Sequence, residues 1–283
     1  MQLNSKIKCL KKNSKSFYWA SNLLNKNKIN EISELYCVLR ELDDVADNSD
    51  NEKEIFEELL AYIRKENQNL NVRFVAHENF FKSIKSSQEK KENFLNFLDG
   101  LIYDQQDHLE VKNNSELIEY CYRVAGTVGI MMCPILEVSN KDAYKYAADL
   151  GIAMQLTNIS RDVYEDACNN RRYLPSSSCN EIKPEEIREI FNDKKCESYK
   201  EIKKSIESIL NIADDYYEKA KKGYSYMPLR SRICISVAAN IYREIGNDIK
   251  RNKCHWSSKR YFIPMYRKLF ITLKTFFNEL IRI

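Results

Sequence analysis

Two stretches of this chain place acidic side chains one helical turn apart inside segments that are otherwise apolar. Because an α-helix has about 3.6 residues per turn, the polar residues of each stretch fall on one stripe of a helix. The first stripe consists of Tyr36, Arg40, Asp43 and Asp47, and the second of Gln155, Asn158, Asp162 and Asp166. The flanking positions hold mainly leucine, isoleucine, valine and alanine. The sequence therefore predicts two polar stripes on largely buried helices.

These stripes are electrostatically costly, because neighbouring carboxylates repel one another, and more strongly where water is scarce. Clusters of aspartate and asparagine oxygens without Cys or His suit a hard cation such as Mg²⁺, which commonly also binds substrate phosphate oxygens. Arg40 and Arg161 stand beside the two clusters, where guanidinium groups can hold a phosphate. The pattern favours a site for Mg²⁺ and a diphosphate. The alternative is that each stripe is an ordinary solvated helix face. The predicted metal ligands are Asp43, Asp47, Asn158, Asp162 and Asp166.

Apolar residues recur at three- and four-residue spacing through most of the chain, which predicts helices. Only six glycines and five prolines occur, too few for a fold rich in tight turns, and no linker rich in Pro, Gly or Ser divides the chain. We therefore predict an all-α fold with residues 1–283 in a single domain. The predicted helical ranges are 29–47, 52–66, 90–110, 115–132, 141–168, 184–222 and 230–252.

Composition disfavours several functional classes. Nine cysteines are scattered singly with no C-x-x-C pair, so neither a zinc site nor a disulfide framework is indicated, and without a secretory signal we expect a cytoplasmic protein. The net charge is +4 and no basic stripe is interleaved with aromatic residues, so we expect no nucleic-acid partner. The longest uncharged apolar run, residues 124–136, is too short to span a bilayer.

The segment 260–283 differs in character, because aromatic and aliphatic residues alternate there with arginine and lysine. A basic amphipathic segment of this kind can lie on an anionic membrane surface, which would make the protein peripheral on the inner membrane surface. The alternative is a terminal helix packed on the body of the protein. The sequence leaves both interpretations open.

Five stretches together resemble the squalene/phytoene synthase family, in the family's order and spacing. They are NSKSFYWAS from residue 13, YCVLRELDDVADN from 36, YCYRVAGTVGIMMCPIL from 120, DLGIAMQLTNISRDVYEDACNNRRYLP from 149 and GYSYMPLRSRICISVAANIYREIGNDI from 223. The second acidic motif with its trailing RRYLP looks most like bacterial phytoene synthases. The resemblance implies an isoprenoid synthase fold, in which helices surround a central cavity and the two acidic motifs face each other across its mouth.

The resemblance also implies roles for individual residues. Asp43, Asp47, Asp162 and Asp166 match the catalytic acidic motifs, and Tyr122 matches a tyrosine of the cavity. The residues that match contacts to the diphosphate or to the start of the prenyl chain are Ser14, Lys15, Ser16, Tyr36, Arg40, Gln155, Arg161 and Tyr242. Candidate cavity walls are Phe17, Tyr36, Tyr122, Val124, Val128 and Met154. Arg171 and Arg172 are interpreted as a loop that closes over the diphosphates, or as a solvated charge pair.

The implied reaction is head-to-head condensation of two geranylgeranyl diphosphates to phytoene, the first step of carotenoid biosynthesis. It implies Mg²⁺, with Mn²⁺ as a substitute, and no NADPH. Small side chains at Ser21 and Ser33 are predicted to leave room for the longer prenyl chain, unless these serines lie on the surface. Three alternatives remain open: a squalene or dehydrosqualene synthase that uses farnesyl diphosphate, a non-catalytic assembly factor on the same fold, and a helical scaffold.

Overall fold

The computed structural model describes residues 3–47, 52–106, 109–256 and 258–281, and within them the chain is almost entirely helical. This confirms the predicted all-α class. The helices are α1 (Leu3–Asn13), α2 (Lys15–Ser21), α3 (Lys26–Asp47), α4 (Glu52–Arg64), α5 (Glu78–Lys85), α6 (Gln88–Asp104), α7 (Asn114–Cys121), α8 (Thr127–Ile135), α9 (Tyr144–Cys168), α10 (Ser176–Cys179), α11 (Pro184–Ile190), α12 (Glu197–Ala220), α13 (Leu229–Arg251) and α14 (Met265–Ile281). Short 3₁₀ turns span Val72–His77, Lys141–Ala143 and Lys221–Tyr226, and a π-helical turn spans Tyr122–Gly126.

Two predicted helical ranges differ from the structure. The range 90–110 ends as a helix at Asp104 and continues into a short strand, β1 (Leu109–Glu110), which pairs in parallel with β2 (Arg171–Arg172). The range 184–222 is interrupted between α11 and α12. In that interruption the Asp193 carboxylate accepts a hydrogen bond from the Lys195 backbone N–H at 3.2 Å, a local turn that competes with a helix.

Helix α9 lies at the centre of the fold and packs against α8, α11, α12 and α13. Its contact with the π-helical turn and α8 is a backbone-to-backbone contact that only glycine allows. A Cβ atom on Gly151 would lie 2.1 Å from the Ala125 carbonyl oxygen, and one on Gly129 would lie 2.2 Å from the Ala147 carbonyl oxygen. A side chain at either position would force these helices apart. The close approach sets the distance between α9 and the segment that carries Tyr122.

A separate apolar cluster orients α3. Leu35, Leu39, Leu42 and Val45 are buried against an aromatic group from α4, α5, α6 and the turn before α5. In that group Phe81 and Phe94 meet edge to face, with ring centroids 5.8 Å apart. Because this side of α3 is fixed in the core, the opposite side carries the polar stripe. In the described part of the chain no helix is both long and apolar enough to cross a membrane.

Candidate active site

The first polar stripe lies along α3, where Tyr36, Arg40 and Asp43 are partly exposed while the apolar residues between them are buried. Arg40 is the main partner of the acidic residues. Its guanidinium bonds the Asp43 carboxylate at 2.8 Å and the Asp44 carboxylate at 2.5 Å. The sequence interpretation did not single out Asp44. Asp47 is the last residue of α3, and its side chain lies outside the described residues.

The second polar stripe lies along α9. Arg161 holds Asp162 with two parallel hydrogen bonds, from Nε to Oδ1 at 2.8 Å and from Nη2 to Oδ2 at 2.6 Å. Arg260, from the segment before α14, reaches the same carboxylate at 3.3 Å and also pairs with Glu165 at 2.9 Å. Two arginines therefore offset the charge of the second stripe, as the electrostatic argument requires. Arg260 was not predicted as a site residue, because it lies about a hundred positions along the chain from its partners.

Tyr242 of α13 interacts electrostatically with a residue of each stripe. The Tyr36 phenol has a pKa well above its usual value, because burial and the neighbouring Tyr242 both disfavour its ionised form. Burial likewise raises the pKa of Tyr242, while Arg161 and a hydrogen bond with Ser14 lower it. Tyr242 is thus near both Tyr36 on α3 and Arg161 on α9.

Asp104, the last residue of α6, also interacts electrostatically with a residue of each stripe. Burial is the largest cause that raises the pKa of the Asp104 carboxyl, and the charge of Asp43 on α3 raises it further. Burial also raises the pKa of Asp166 on α9, followed by the charges of Asp162, Glu165 and Asp104, whereas Arg171 lowers both pKa values. Tyr242 and Asp104 are therefore each near residues of both polar stripes.

The Asp104 carboxylate is a feature that the sequence interpretation missed. It is buried and accepts hydrogen bonds from the hydroxyls of Tyr120 at 2.9 Å and Tyr173 at 2.7 Å, whose rings stack at 4.9 Å. Burial raises its pKa to about 7. A signal was present in the sequence, because Asp104 falls at helical spacing from Phe97 and Leu101, on an apolar face.

This shift predicts a pH dependence of stability that Asp104→Asn removes. Between pH 3.8, the ordinary value for Asp, and pH 7, the folded state keeps a proton that the unfolded chain has released, so the free energy of unfolding falls as pH rises. For a shift of this size the loss is on the order of 4 kcal/mol. Urea unfolding of metal-free protein from pH 4 to pH 8 measures it. Parallel pH curves for wild type and variant would contradict the buried, protonated state of Asp104, and Asp99→Asn, at an exposed position of α6, serves as the control.

Three residues predicted to contact the diphosphate, Ser14, Lys15 and Ser16, lie at the start of α2 and differ in exposure. Ser14 is buried and its hydroxyl bonds that of Tyr242, whose ring centroid lies 5.2 Å from that of Phe17. Ser16 is partly buried, whereas Lys15 is exposed. Burial lowers the pKa of Lys268 of α14, and the charge of Lys15 lowers it further. The structure therefore brings Ser14 and Tyr242 together, and it places Lys15 toward the C-terminal helix.

Tyr122 begins the π-helical turn, a geometry that often marks functional sites and that no residue pattern in the sequence predicted. Its ring packs over Gly126, where an added Cβ would lie 2.9 Å from the ring. The candidate wall residues Phe17, Tyr36, Tyr122 and Val124 are only partly buried although they pack against the main core. Val128 is partly buried against the second cluster, and Met154 is buried.

Arg171 and Arg172 have separate roles. The Arg172 side chain is fully buried, where it pairs with Glu110 at 2.8 Å and bonds Ser176 Oγ at 2.7 Å. It also donates to the carbonyl oxygens of Leu174 and Val111. Both earlier interpretations of Arg172, a closing loop and a solvated charge pair, are therefore wrong, because its guanidinium fastens β2 to its neighbours. Arg171 is partly buried, and its positive charge opposes the rise in pKa that burial causes at Asp104 and Asp166.

Ser21 and Ser33 are both buried, and the alternative that they are surface serines is wrong. Ser21 Oγ donates to the Tyr18 carbonyl oxygen at 2.9 Å, whereas Ser33 Oγ has no hydrogen-bond partner. A small side chain at each position is therefore part of the interior.

The oxygen atoms of the two stripes fit a divalent cation. Among the residues whose side chains are described, no three His, Cys, Asp or Glu side chains come together as a preformed metal site. Mg²⁺ commonly needs only one or two carboxylates in addition to water and substrate phosphate. Asn158 supplies a specific observation, because its Oδ1 is buried without any hydrogen-bond donor while its amide nitrogen donates to Gln155 at 3.2 Å. An acceptor left unpaired in this way suits a cation.

An almost entirely helical fold that carries two stripes of aspartate, each paired with arginine, is the architecture of an isoprenoid synthase. Residues 10–267 match the sequence model of the family described as squalene/phytoene synthase. The chain belongs to the squalene/phytoene synthase family, whose members are prenyltransferases, and the resemblance noted from the motifs is confirmed.

Individual relatives agree with this assignment. The chain is 31% identical over 275 residues to a 4,4'-diapophytoene synthase of Staphylococcus haemolyticus, covering 92% of this chain and 90% of the relative. It is 31% identical over 244 residues to a 15-cis-phytoene synthase of Enterobacter agglomerans, covering 82% and 81%. The crystal structure of a dehydrosqualene synthase in complex with a ligand superposes with a TM-score of 0.76 at 26% identity, covering 96% of this chain and 94% of the other.

Proposed function

We propose that this protein is a phytoene synthase, which condenses two molecules of geranylgeranyl diphosphate head to head and begins carotenoid biosynthesis. The observation that carries the proposal is that each polar stripe pairs aspartate with arginine and that Tyr242 and Asp104 are near residues of both stripes. An acidic site of this kind, lined with arginine and set beside partly buried apolar side chains, suits a substrate with a diphosphate head and a hydrocarbon tail. We place all 283 residues in one domain of this kind.

The polar residues would act on the departing diphosphate. Arg40 and Arg161 each present a planar fork of N–H donors that can bind two phosphate oxygens at once, and Ser14 adds a hydroxyl. The residues that would hold Mg²⁺, or Mn²⁺ in its place, are Asp43, Asp47, Asn158, Asp162 and Asp166. Bound there, the ion would neutralise charge that builds on the leaving diphosphate. Ser16 and Gln155 would help to position the head group, and Lys15 would act from the exposed rim.

The chemistry consists of two ionisations. One substrate loses its diphosphate to give an allylic cation, the nearest double bond of the second substrate attacks it, and loss of a proton closes a cyclopropane ring. The product of this half is prephytoene diphosphate. Its diphosphate then leaves, the cation rearranges, and loss of a second proton forms the central double bond of phytoene. Two substrates give one phytoene, two diphosphates and two protons, and since no electrons are gained the reaction needs no NADPH.

The cavity walls would keep water away from the cation. Any water near an allylic cation would convert it to an alcohol, so the walls must be apolar when the diphosphate leaves. Aromatic faces also stabilise a nearby positive charge, which suits Phe17, Tyr36 and Tyr122. We assign to Tyr122 the role of lining the cavity beside the reacting carbons.

Enlarging the two buried serines should shorten the preferred substrate. We expect Ser21→Phe with Ser33→Trp to shift the ratio of kcat/KM from geranylgeranyl toward farnesyl diphosphate by at least about tenfold, because bulky rings would occupy the space of the longer tail. Competition between the two diphosphates, followed by extraction of the hydrocarbons, measures the shift.

The matched control carries the same rings at exposed serines, Ser86→Phe with Ser177→Trp, and should keep the wild-type preference. A double variant at Ser21 and Ser33 that melts near the wild-type temperature and makes an unchanged product mixture would refute this account of chain length.

A product assay tests the proposed function. Purified protein with Mg²⁺ is incubated with geranylgeranyl diphosphate or farnesyl diphosphate, with and without NADPH, and the extracted hydrocarbon is identified by mass spectrometry. Phytoene from geranylgeranyl diphosphate without NADPH is the expected result. A hydrocarbon formed only with NADPH would identify a squalene-type reaction, and no product from either substrate would favour an assembly factor or scaffold.

A second candidate is condensation of two farnesyl diphosphates to dehydrosqualene. It is favoured by the relative named 4,4'-diapophytoene synthase and by the superposition on a dehydrosqualene synthase. The buried small side chains at Ser21 and Ser33 favour the longer substrate, and for that reason we place phytoene synthesis first. We place the reaction in the cytoplasm, with no nucleic-acid partner.

A further inference from the structure

Helix α14 is polar on the side that faces the protein. Glu279 is 4% exposed, forms an ion pair with Arg232 at 3.2 Å and accepts a hydrogen bond from Ser236 at 3.0 Å. On the same side Thr275 accepts from Asn240 at 2.9 Å and Thr272 accepts from the Trp19 indole at 2.9 Å. Polar side chains therefore hold this helix against α13 and α2.

The outer side of α14 is apolar. Tyr266 is 72% exposed, Phe270 67%, Leu273 50% and Phe277 59%. These positions recur at three- and four-residue spacing, so they form one continuous stripe along the helix. Helices on the surface of a globular protein normally have the opposite arrangement, with the apolar side inward. Large exposed apolar patches of this kind mark interaction sites.

The exposed charged residues of the segment 258–281 are all basic. From residue 258 to residue 281 the sole acidic residue is Glu279, which is buried, whereas Lys259, Arg260 and Lys274 are exposed. An apolar stripe in a segment whose exposed charges are all positive complements a lipid surface with anionic head groups. Two copies of this helix packed face to face would instead bring like charges together.

We propose that the outer face of α14 docks on an anionic lipid bilayer, with the helix lying in the plane of the interface. The segment just before α14 reaches the candidate active site. Trp19 of α2 touches α14, and Arg260, just before the helix, pairs with Asp162 of the second stripe. A hydrocarbon product would therefore form beside the membrane, a consequence that rests on the proposed function, whereas the docking itself does not.

Vesicle sedimentation with the full chain tests the proposal. The vesicles contain phosphatidylglycerol with phosphatidylcholine, or phosphatidylcholine alone. We expect wild type to bind the anionic vesicles at least about tenfold more strongly than the neutral ones. Phe270→Glu with Phe277→Glu should lower binding to the anionic vesicles by at least about tenfold, and Lys274→Gln should lower it by a smaller factor.

The matched control is Val72→Glu with Val75→Glu, at two exposed valines of another helical turn, and should bind as wild type does. Phe270→Trp provides a readout that does not depend on a destabilising charge, because vesicles with brominated acyl chains should quench its added fluorescence. Failure of wild type to sediment with anionic vesicles would overturn the proposal. So would a wild-type dimer that dissociates in the double glutamate variant, which would assign the face to a second copy. Neither result would bear on the product assay.

Discussion

Replacing Asp43 or Asp162 by asparagine is expected to lower turnover by about a thousandfold, the size of effect seen when one group that stabilises transition-state charge is lost. Asparagine keeps the volume and one oxygen of aspartate but carries no charge. Each change removes one negative charge from a stripe that would gather divalent cations around the diphosphate. Arg40 would also lose one of its two carboxylate partners, or Arg161 would lose Asp162. The rate of product formation with Mg²⁺ and saturating geranylgeranyl diphosphate measures the effect.

Asp149→Asn is the matched control, because it makes the same change on α9 outside the polar stripe, at a carboxylate surrounded by Lys145, Lys219 and Lys222. It should retain most of the activity. Circular dichroism should show an unchanged helical content in all three variants. Turnover within a few-fold of wild type in Asp43→Asn or Asp162→Asn would remove these residues from the reaction.

Removal of divalent cations is expected to abolish turnover altogether. A diphosphate is a poor leaving group unless its charge is neutralised, and the arginines of the site can offset only part of that charge while they also pair with aspartate. Protein treated with a chelator and then dialysed should form no hydrocarbon, should recover with added Mg²⁺, and should recover in part with Mn²⁺.

A second readout separates binding from chemistry. The melting temperature should rise when Mg²⁺ and a non-reacting diphosphate analogue are added together, and should rise much less with either alone, since each completes the binding site of the other. Full turnover after chelation would contradict the assignment of the acidic stripes to metal.

The local periodicity of the sequence was sufficient to predict the helical class and the two stripes. Buried leucines and valines alternate with Arg40 and Asp43 on α3, as the helical spacing required, and the same holds around Asp162 on α9. These features depend on residues within a few turns of one another, and for that reason the sequence displays them.

The features that were missed depend on long-range contacts. The Asp104 carboxyl is held by hydrogen bonds from Tyr120 and Tyr173, which lie outside α6. Arg260 forms its ion pair with Asp162 although almost a hundred residues separate them along the chain. Arg172 was interpreted as part of a closing loop or of a solvated charge pair, because only the folded chain brings Glu110 against it. The inverted polarity of α14 likewise depends on Arg232 and Ser236, the partners of Glu279.

The most direct test is anomalous diffraction from a crystal soaked with Mn²⁺ and a thio-diphosphate analogue of the prenyl substrate. We expect Mn²⁺ peaks between the α3 and α9 stripes, in contact with the carboxylates of Asp43 and Asp162, with the diphosphate bound to those ions and the prenyl chain directed toward Tyr122. Mn²⁺ and diphosphate bound elsewhere, with the two stripes free of both, would contradict the account.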